Sequence, residues 1–381
     1  MRSRLFIAAA LVVALTLLAA VPAFASPDIT VQWLKSQQHD DGGFGAEGST
    51  LSETAEVVYA LAAAGQDVAG LKTNGRSPLD YLAAHVSEAK SAGAMAKLSL
   101  AVSAAGGDAA TVGGVNLVGQ IEKSLGAEGA YTLSAEDTLS GQVYAMLALV
   151  GAGRTVPQSA VDWLRGKQQA GGAWAWNASD KAEDADSNTT SLALQALIAA
   201  GVAKDDAAIQ KGIQYLGGLQ NEDGGFPYQK PSPYGTDTDA DSTAFCIQAL
   251  IATGQDLTAW KAKSGKGPLD ALAALQRNDG AFAWQAAFGD ANLLASAQAV
   301  PALLGRSYPI AVTKASGTAE AAQPAAATPA VAAAATPGPT AAVQVLPTTG
   351  AAQSGTAATL VLVGTALVAG GCLLQRRLSA R

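Results

Sequence analysis

The chain is poor in the residues that build metal and redox sites. It has 381 residues but only two cysteines, two histidines and three methionines. Cys372 lies in an apolar C-terminal tail, so the body of the protein holds only Cys246 and forms no disulfide within itself. Both histidines, His39 and His85, precede Cys246, so there is no thiolate–imidazole zinc site of normal spacing. Charged residues are 14% of the chain and the net charge is −7. That balance excludes a nucleic-acid partner, whose phosphates need Lys and Arg. Sustained period-2 alternation is also missing, which argues against strands.

What is present is a repeat. Gln220-Asn221-Glu222-Asp223-Gly224-Gly225-Phe226 recurs as Gln38 to Phe44 and as Gln276 to Phe282. Gln168 to Trp174 keeps the spacing without the acid, and Leu125 to Tyr131 is a faded copy. The closing aromatics Tyr131, Trp174, Phe226 and Phe282 lie 43 to 56 residues apart, while Phe44 precedes Tyr131 by 87. One copy is therefore missing, and a period of this size marks a repeat architecture. Each copy follows an apolar periodic segment, so the Gln stands at a helix end. Gly allows the helix to stop at positive φ, the aromatic folds back as a buried anchor, and the Gln amide ties free backbone groups. The motif reads as a stapled corner between two helices.

Gln-x-x-Asp-Gly-Gly-Phe resembles the repeat of the prenyltransferase and squalene-cyclase family. The resemblance covers residues 27 to about 305. It implies an α/α toroid in which outer and inner helices alternate around a central cavity. The helical segments support this: twelve are expected, near 29–38, 53–64, from Pro78, 95–105, 115–125, 138–150, from Pro157, 189–200, 206–219, 243–252, 268–275 and 292–304. Six pairs close an (α/α)6 ring, so the expected class is all-α. The same toroid serves many functions, so fold does not fix activity.

The ends read differently. Arg2, Arg4 and the apolar run Leu5 to Ala20, ahead of Ala23-Phe24-Ala25, suggest a secretory signal peptide over 1–25. The toroid is expected over 26–310. Residues 311–345 are Ala, Pro, Thr and Val, a semi-extended linker that reaches about 100 Å when fully extended. Residues 346–381 begin with Leu346-Pro347-Thr348-Thr349-Gly350, followed by an apolar span over 357–374 and the basic Arg376-Arg377. That order resembles a bacterial cell-wall sorting signal. The resemblance implies that a sortase cuts after Thr349 and links it to the wall. The other reading is a plain membrane anchor through 357–374.

The chemistry is less explicit. The even-numbered helices should line the cavity with their N-termini at one mouth. Near those starts stand Glu53, Asp137, Asp186, Asp241 and Asp290, where acids also cap helices and complement the dipole. Asp237-Thr238-Asp239-Ala240-Asp241-Ser242-Thr243-Ala244 is the densest cluster. It resembles the Asp-x-Asp-Asp-Thr-Ala helix start of class II terpene cyclases, whose middle Asp protonates the substrate. Aligned on Thr243-Ala244, Asp239 and Asp241 match the first two acids and Ser242 replaces the third. Asp241 then corresponds to the general acid, a role that needs a raised pKa. Asp184-Ala185-Asp186-Ser187 shows the same letters one unit earlier, which points to repeat structure instead. Zinc prenyltransferase chemistry is disfavoured, and no cofactor is called for. A calcium loop at Asp237, Asp239 and Asp241 lacks its Gly and Glu, so no metal is expected. Trp174, Trp176, Tyr228, Tyr234 and Trp284 sit at or near the loops over the cavity. With Asp186 and Asp237, they suit a small apolar, planar or carbohydrate-like ligand or surface partner. The leading expectation is an exported, surface-anchored binding toroid. A terpenoid-processing enzyme with Asp241 as acid is the second and a structural spacer the third.

Overall fold

The computed structural model describes residues 25–135, 137–232 and 235–310. The expected signal peptide up to residue 24, the expected linker, the expected sorting pentapeptide Leu346–Gly350 and Tyr234 lie outside the described residues.

Among the described residues, twelve α-helices alternate between two layers. The outer layer holds α1 (Pro27–Ser36), α3 (Pro78–Ala84), α5 (Leu117–Lys123), α7 (Gln158–Gly166), α9 (Ala207–Leu219) and α11 (Pro268–Ala274). The inner layer holds α2 (Leu51–Ala63), α4 (Ala92–Ala104), α6 (Leu139–Gly151), α8 (Ser187–Ala199), α10 (Ala240–Ala252) and α12 (Leu293–Leu303). Each inner helix packs on the next, and α12 packs back on α2, which closes the ring. The fold is the expected (α/α)6 toroid.

Composition explains the two layers. Inner helices are Ala- and Leu-rich on all sides, and every residue of α10 from Ala240 to Leu250 is buried. A helix that is apolar all round belongs inside. Outer helices are amphipathic: α7 buries only Ala160, Val161 and Leu164, a single stripe.

The stapled corners join the layers. In the copy at Gln220, the Gln amide donates to Gly224 O at 2.9 Å and to Trp260 O at 3.2 Å. Asp223 Oδ1 accepts from Gly225 N at 3.0 Å. Gly224 has φ +91°, and a Cβ there would stand 2.5 Å from the carbonyl of Gly267, at the start of the next outer helix. Phe226 is fully buried, with its ring centroid 6.2 Å from that of Trp260. Its backbone is gripped by α10, because Thr243 Oγ1 accepts from Phe226 N at 3.0 Å and donates to Phe226 O at 3.3 Å. Thr54 grips Phe44 and Thr190 grips Trp174 in the same way, while Ser296 takes the N–H of Phe282. In the faded copy Gln142 replaces the hydroxyl, accepting from Tyr131 N at 2.8 Å. The last copy closes the circle: Gln276 exchanges bonds of 2.9 Å with the backbone of Ser26, and Gly280 O accepts from Thr30 Oγ1 at 2.8 Å.

One expectation is met in detail and one needs correction. The missing copy is a short 3-10 helix over Val86–Glu88. It has no aromatic staple, and Met95 occupies the place of the gripping hydroxyl on α4. The chain also contains strands. Phe282–Gln285 (β1) pairs antiparallel with Phe288–Asn292 (β2), with a register shift between Ala283 and Gln285. Four- and five-residue strands interrupted by a bulge are too short to show a period of two in sequence.

Candidate functional site

The inner helices gather their N-termini at one mouth of the ring. Their caps are Thr50, Ser91, Thr138, Asp186, Asp239 and Asn292. Asp186 Oδ1 accepts from Thr189 N at 2.6 Å, and Asp239 Oδ1 accepts from Ser242 N at 2.7 Å. Their own N–H groups donate to the carbonyls of the staple aromatics, Asp186 to Trp174 and Asp239 to Phe226, as Thr50 does to Phe44. Asp186 and Asp239 therefore hold one repeated structural position.

Asp241 does not share that position. It lies two residues past the cap, where the other inner helices carry Ser52, Gly93, Ser140, Asn188 and Leu294. The Asp-x-Asp-Ser echo in the sequence is thus out of register by two residues. Asp186 corresponds to Asp239, and the counterpart of Asp241 is Asn188. The sequence reading errs because it starts α10 at Thr243. The helix begins at Ala240, which moves Asp241 from the cap into the first turn.

The electrostatics separate the acids further. Burial pushes Asp186 and Asp239 up to about 7, against the lowering effect of the backbone N–H groups they cap. Asp241 is raised well above the carboxylate range, first by burial, then by the negative charges of Asp239 and Glu56. Its Oδ1 has no protein partner, and the residue is 9% exposed. A buried carboxyl beside two other acids holds its proton, and a proton held without a partner can be given away. Asp241 is therefore a neutral acid at the mouth.

The other singled-out residues divide between staple, rim and solvent. Trp174 is a staple residue: it is fully buried, with its indole N–H on Leu164 O at 2.7 Å. Tyr228 reaches the mouth through its backbone, its carbonyl accepting from Ser187 N at 2.8 Å. Trp176 is 37% exposed on the loop ahead of α8, and its carbonyl accepts from Leu139 N. Trp284 stands on β1 and stacks on Phe288 at 5.3 Å. Gln285, also on β1, bridges to Asp239, which brings the hairpin to the start of α10. Asp237 is exposed, and Asp290 lies exposed on β2, so neither joins the acid cluster. Glu53 and Asp137 cap local backbone and serve structure.

Inside the ring the axis is filled. Glu56 on α2 pairs with Lys97 on α4 at 2.5 Å, both side chains nearly buried. Lys97 lies 5.0 Å above the ring of Tyr144 on α6. Tyr308, which follows α12, stacks on Tyr59 and reaches Glu56. The space left among these groups is about 10 Å³, room for one water-sized body. Sequence reasoning missed this cluster entirely. Its sequence signal is a charged residue, Glu56 or Lys97, in the middle of each of two Ala-rich inner helices.

Among known proteins, two family models match. Residues 134–292 match the squalene-hopene cyclase C-terminal domain, and residues 1–98 match the prenyltransferase alpha-alpha toroid domain. None of the curated proteins compared with the chain matches it. Solved structures with the same fold include the type II terpene cyclase MstE from Scytonema. It has a TM-score of 0.53 at 15% identity, over 73% of this chain and 96% of that one. A variant of that cyclase in complex with geranylgeranyl dihydroxybenzoate gives 0.50 at 15% identity, over 73% and 95%. A protein from Actinoplanes gives 0.52 at 16% identity, over 73% and 98%. The chain is thus an α/α toroid, alike in fold to the terpene cyclase MstE and similar in sequence to squalene-hopene cyclase and prenyltransferase domains over separate stretches.

Proposed function

We propose that this toroid is a terpenoid-processing protein of the class II cyclase kind, with Asp241 as the proton donor. One observation carries the reading. Of the six first turns at the mouth, only that of α10 places an acid two residues past the cap, and that acid is buried, raised and without a partner on Oδ1. Asp239 caps the same helix and adds a second nearby carboxylate, which keeps the proton on Asp241. In the reaction, Asp241 gives its proton to an alkene carbon of an isoprenoid chain. The carbocation closes a ring, a neighbouring carbon loses a proton, and Asp241 regains one from solvent at the mouth. The product is an isomer of the substrate. A drug-sized ligand fills roughly 300–1,000 Å³. An isoprenoid chain along the axis therefore requires the Ser307–Ile310 segment to withdraw.

The test is incubation of the purified protein with squalene and with geranylgeranyl dihydroxybenzoate in deuterated water. The expected product is a cyclic isomer that has gained one deuterium, and Asp241→Asn should abolish it. Absence of any isomer with the wild-type protein, or equal yield from Asp241→Asn, overturns the reading.

A second reading is favoured by a different observation. Trp176 and the Trp284–Phe288 stack offer exposed aromatic surface near the mouth, and the axis is full. A protein that binds a planar or carbohydrate-like ligand across its loops needs no open chamber. Native mass spectrometry of the protein from its own source separates the two readings, since a retained small molecule without turnover favours binding. The sorting motif leads us to place the protein on the bacterial cell surface, with Thr349 joined to the wall by a sortase after export.

A further inference from the structure

The chain fills its own axis with one residue, and the manner of filling describes a binding site. After α12 the backbone turns into the ring at the mouth opposite the acids. Tyr308 N donates to Gln195 Oε1 on α8 at 2.9 Å. The Tyr308 ring stacks on Tyr59 of α2, with centroids 4.2 Å apart and planes 17° apart. Tyr144 of α6 meets it edge-on at 6.2 Å and 87°. The Tyr308 hydroxyl donates to Glu56 Oε2 at 3.3 Å, and Ile310 N donates to Tyr59 OH at 3.0 Å. Two inner helices, α2 and α6, thus supply a flat face, an edge and a charged acceptor for a single phenol, and α8 holds its backbone N–H.

The acceptor is costly to maintain. Glu56 is 6% exposed and Lys97 11% exposed on the side chain, and both sit in helices that are otherwise apolar at the axis. Replacing such a buried pair with apolar residues is often neutral or stabilising, so packing does not require it. What the pair does here is orient Glu56 Oε2 toward a hydroxyl. An open groove of about 660 Å³ lies along Ser307–Ile310, with Gly151, Ile198 and Ile251 from three inner helices on its other side.

We infer that the toroid axis is a binding site for a hydroxyl-bearing aromatic ring, and that the chain occupies it in cis with Tyr308. The Ser307–Ile310 segment then competes with any external ligand. The apparent affinity falls by the fraction of time the segment is out. This inference deepens the isoprenoid reading, because withdrawal of the segment is what opens the chamber. It is tested by binding rather than turnover, so a failure at Asp241 and a failure at Tyr308 are distinguishable.

The test uses the full chain and p-cresol, which reproduces the Tyr side chain beyond Cβ, with toluene as the ring lacking the hydroxyl. Tyr308→Gly should gain saturable thermal stabilisation by p-cresol, at least tenfold tighter than in the wild type. Toluene should bind that variant at least fivefold more weakly than p-cresol, and adding Glu56→Gln should erase most of the difference. In the wild type, saturating p-cresol should speed tryptic cleavage after the exposed Arg306. Where Tyr308→Gly does not fold, Tyr308→Phe serves: it keeps the ring, loses the bond to Glu56, and should bind p-cresol severalfold more tightly than the wild type. A folded Tyr308→Gly that shows no saturable response, or that binds p-cresol and toluene equally, overturns the inference. So does a Tyr308→Phe protein whose p-cresol affinity equals that of the wild type.

Discussion

Asp241→Asn tests the proton-donor reading without any substrate. In the folded protein Asp241 is held protonated by burial and by its acidic neighbours. In the unfolded chain it ionises near the ordinary Asp value of about 3.9. Above about pH 4, then, the folded state binds one proton that the unfolded state does not. Stability falls wherever the native state is the one holding more protons, so this group costs the wild type about 1.4 kcal/mol per pH unit in that window. Asn is neutral at every pH and matches the acid in shape. Its amide adds a fixed offset that does not vary with pH, and Asp186 and Asp239 titrate in both proteins and cancel. The variant's stability minus the wild type's should therefore rise by about 2–3 kcal/mol between pH 4 and pH 6. Urea unfolding followed by far-UV circular dichroism at each pH measures it. A gap that stays constant with pH, or that shrinks, would show Asp241 ionised in the folded state. An ionised Asp241 is no general acid, and the proposed reaction fails with it.

Other outcomes follow from the corners and the tail. Phe226→Ala should cost roughly 3–5 kcal/mol, since that ring is fully buried against Trp260; an unchanged denaturation midpoint would show that the staple carries no stability. Gly224→Ala should cost more than about 1 kcal/mol, because φ is +91° and the new Cβ meets the Gly267 carbonyl. Gly218→Ala, in open space within α9, should instead stabilise by about 0.5–1 kcal/mol, and equal effects at the two sites would refute the corner geometry. Thr349→Ala should leave export intact and make the protein extractable from walls by boiling detergent. A wild-type protein already fully extracted, with its Arg376 peptide still attached, would instead point to an ordinary membrane anchor.

The sequence by itself determined the ring. Gln, Gly and an aromatic at fixed spacing dictate a helix stop and a buried staple, which are local events with local causes. Ala- and Leu-rich segments alternating with amphipathic ones then sort into inner and outer layers by burial alone. The corner at Gln220 could be read residue by residue before any fold was known. The hairpin at Phe282–Asn292 could not, because a bulged pair of short strands has no period to detect.

The site depended on register and on distance in sequence. Asp186 and Asp241 look equivalent as letters. Only the helix start at Ala240, fixed by the bond from Ser242 N to Asp239, shows that one is a cap and the other a free acid. Trp174 looks like a loop aromatic until its indole N–H is found on Leu164 inside the core. The axial cluster joins Glu56, Lys97, Tyr144 and Tyr308 across four separate repeats. No local pattern links residues 252 positions apart; closure of the ring brings Tyr308 to Glu56, so only the tertiary structure could show that the axis is charged, aromatic and occupied.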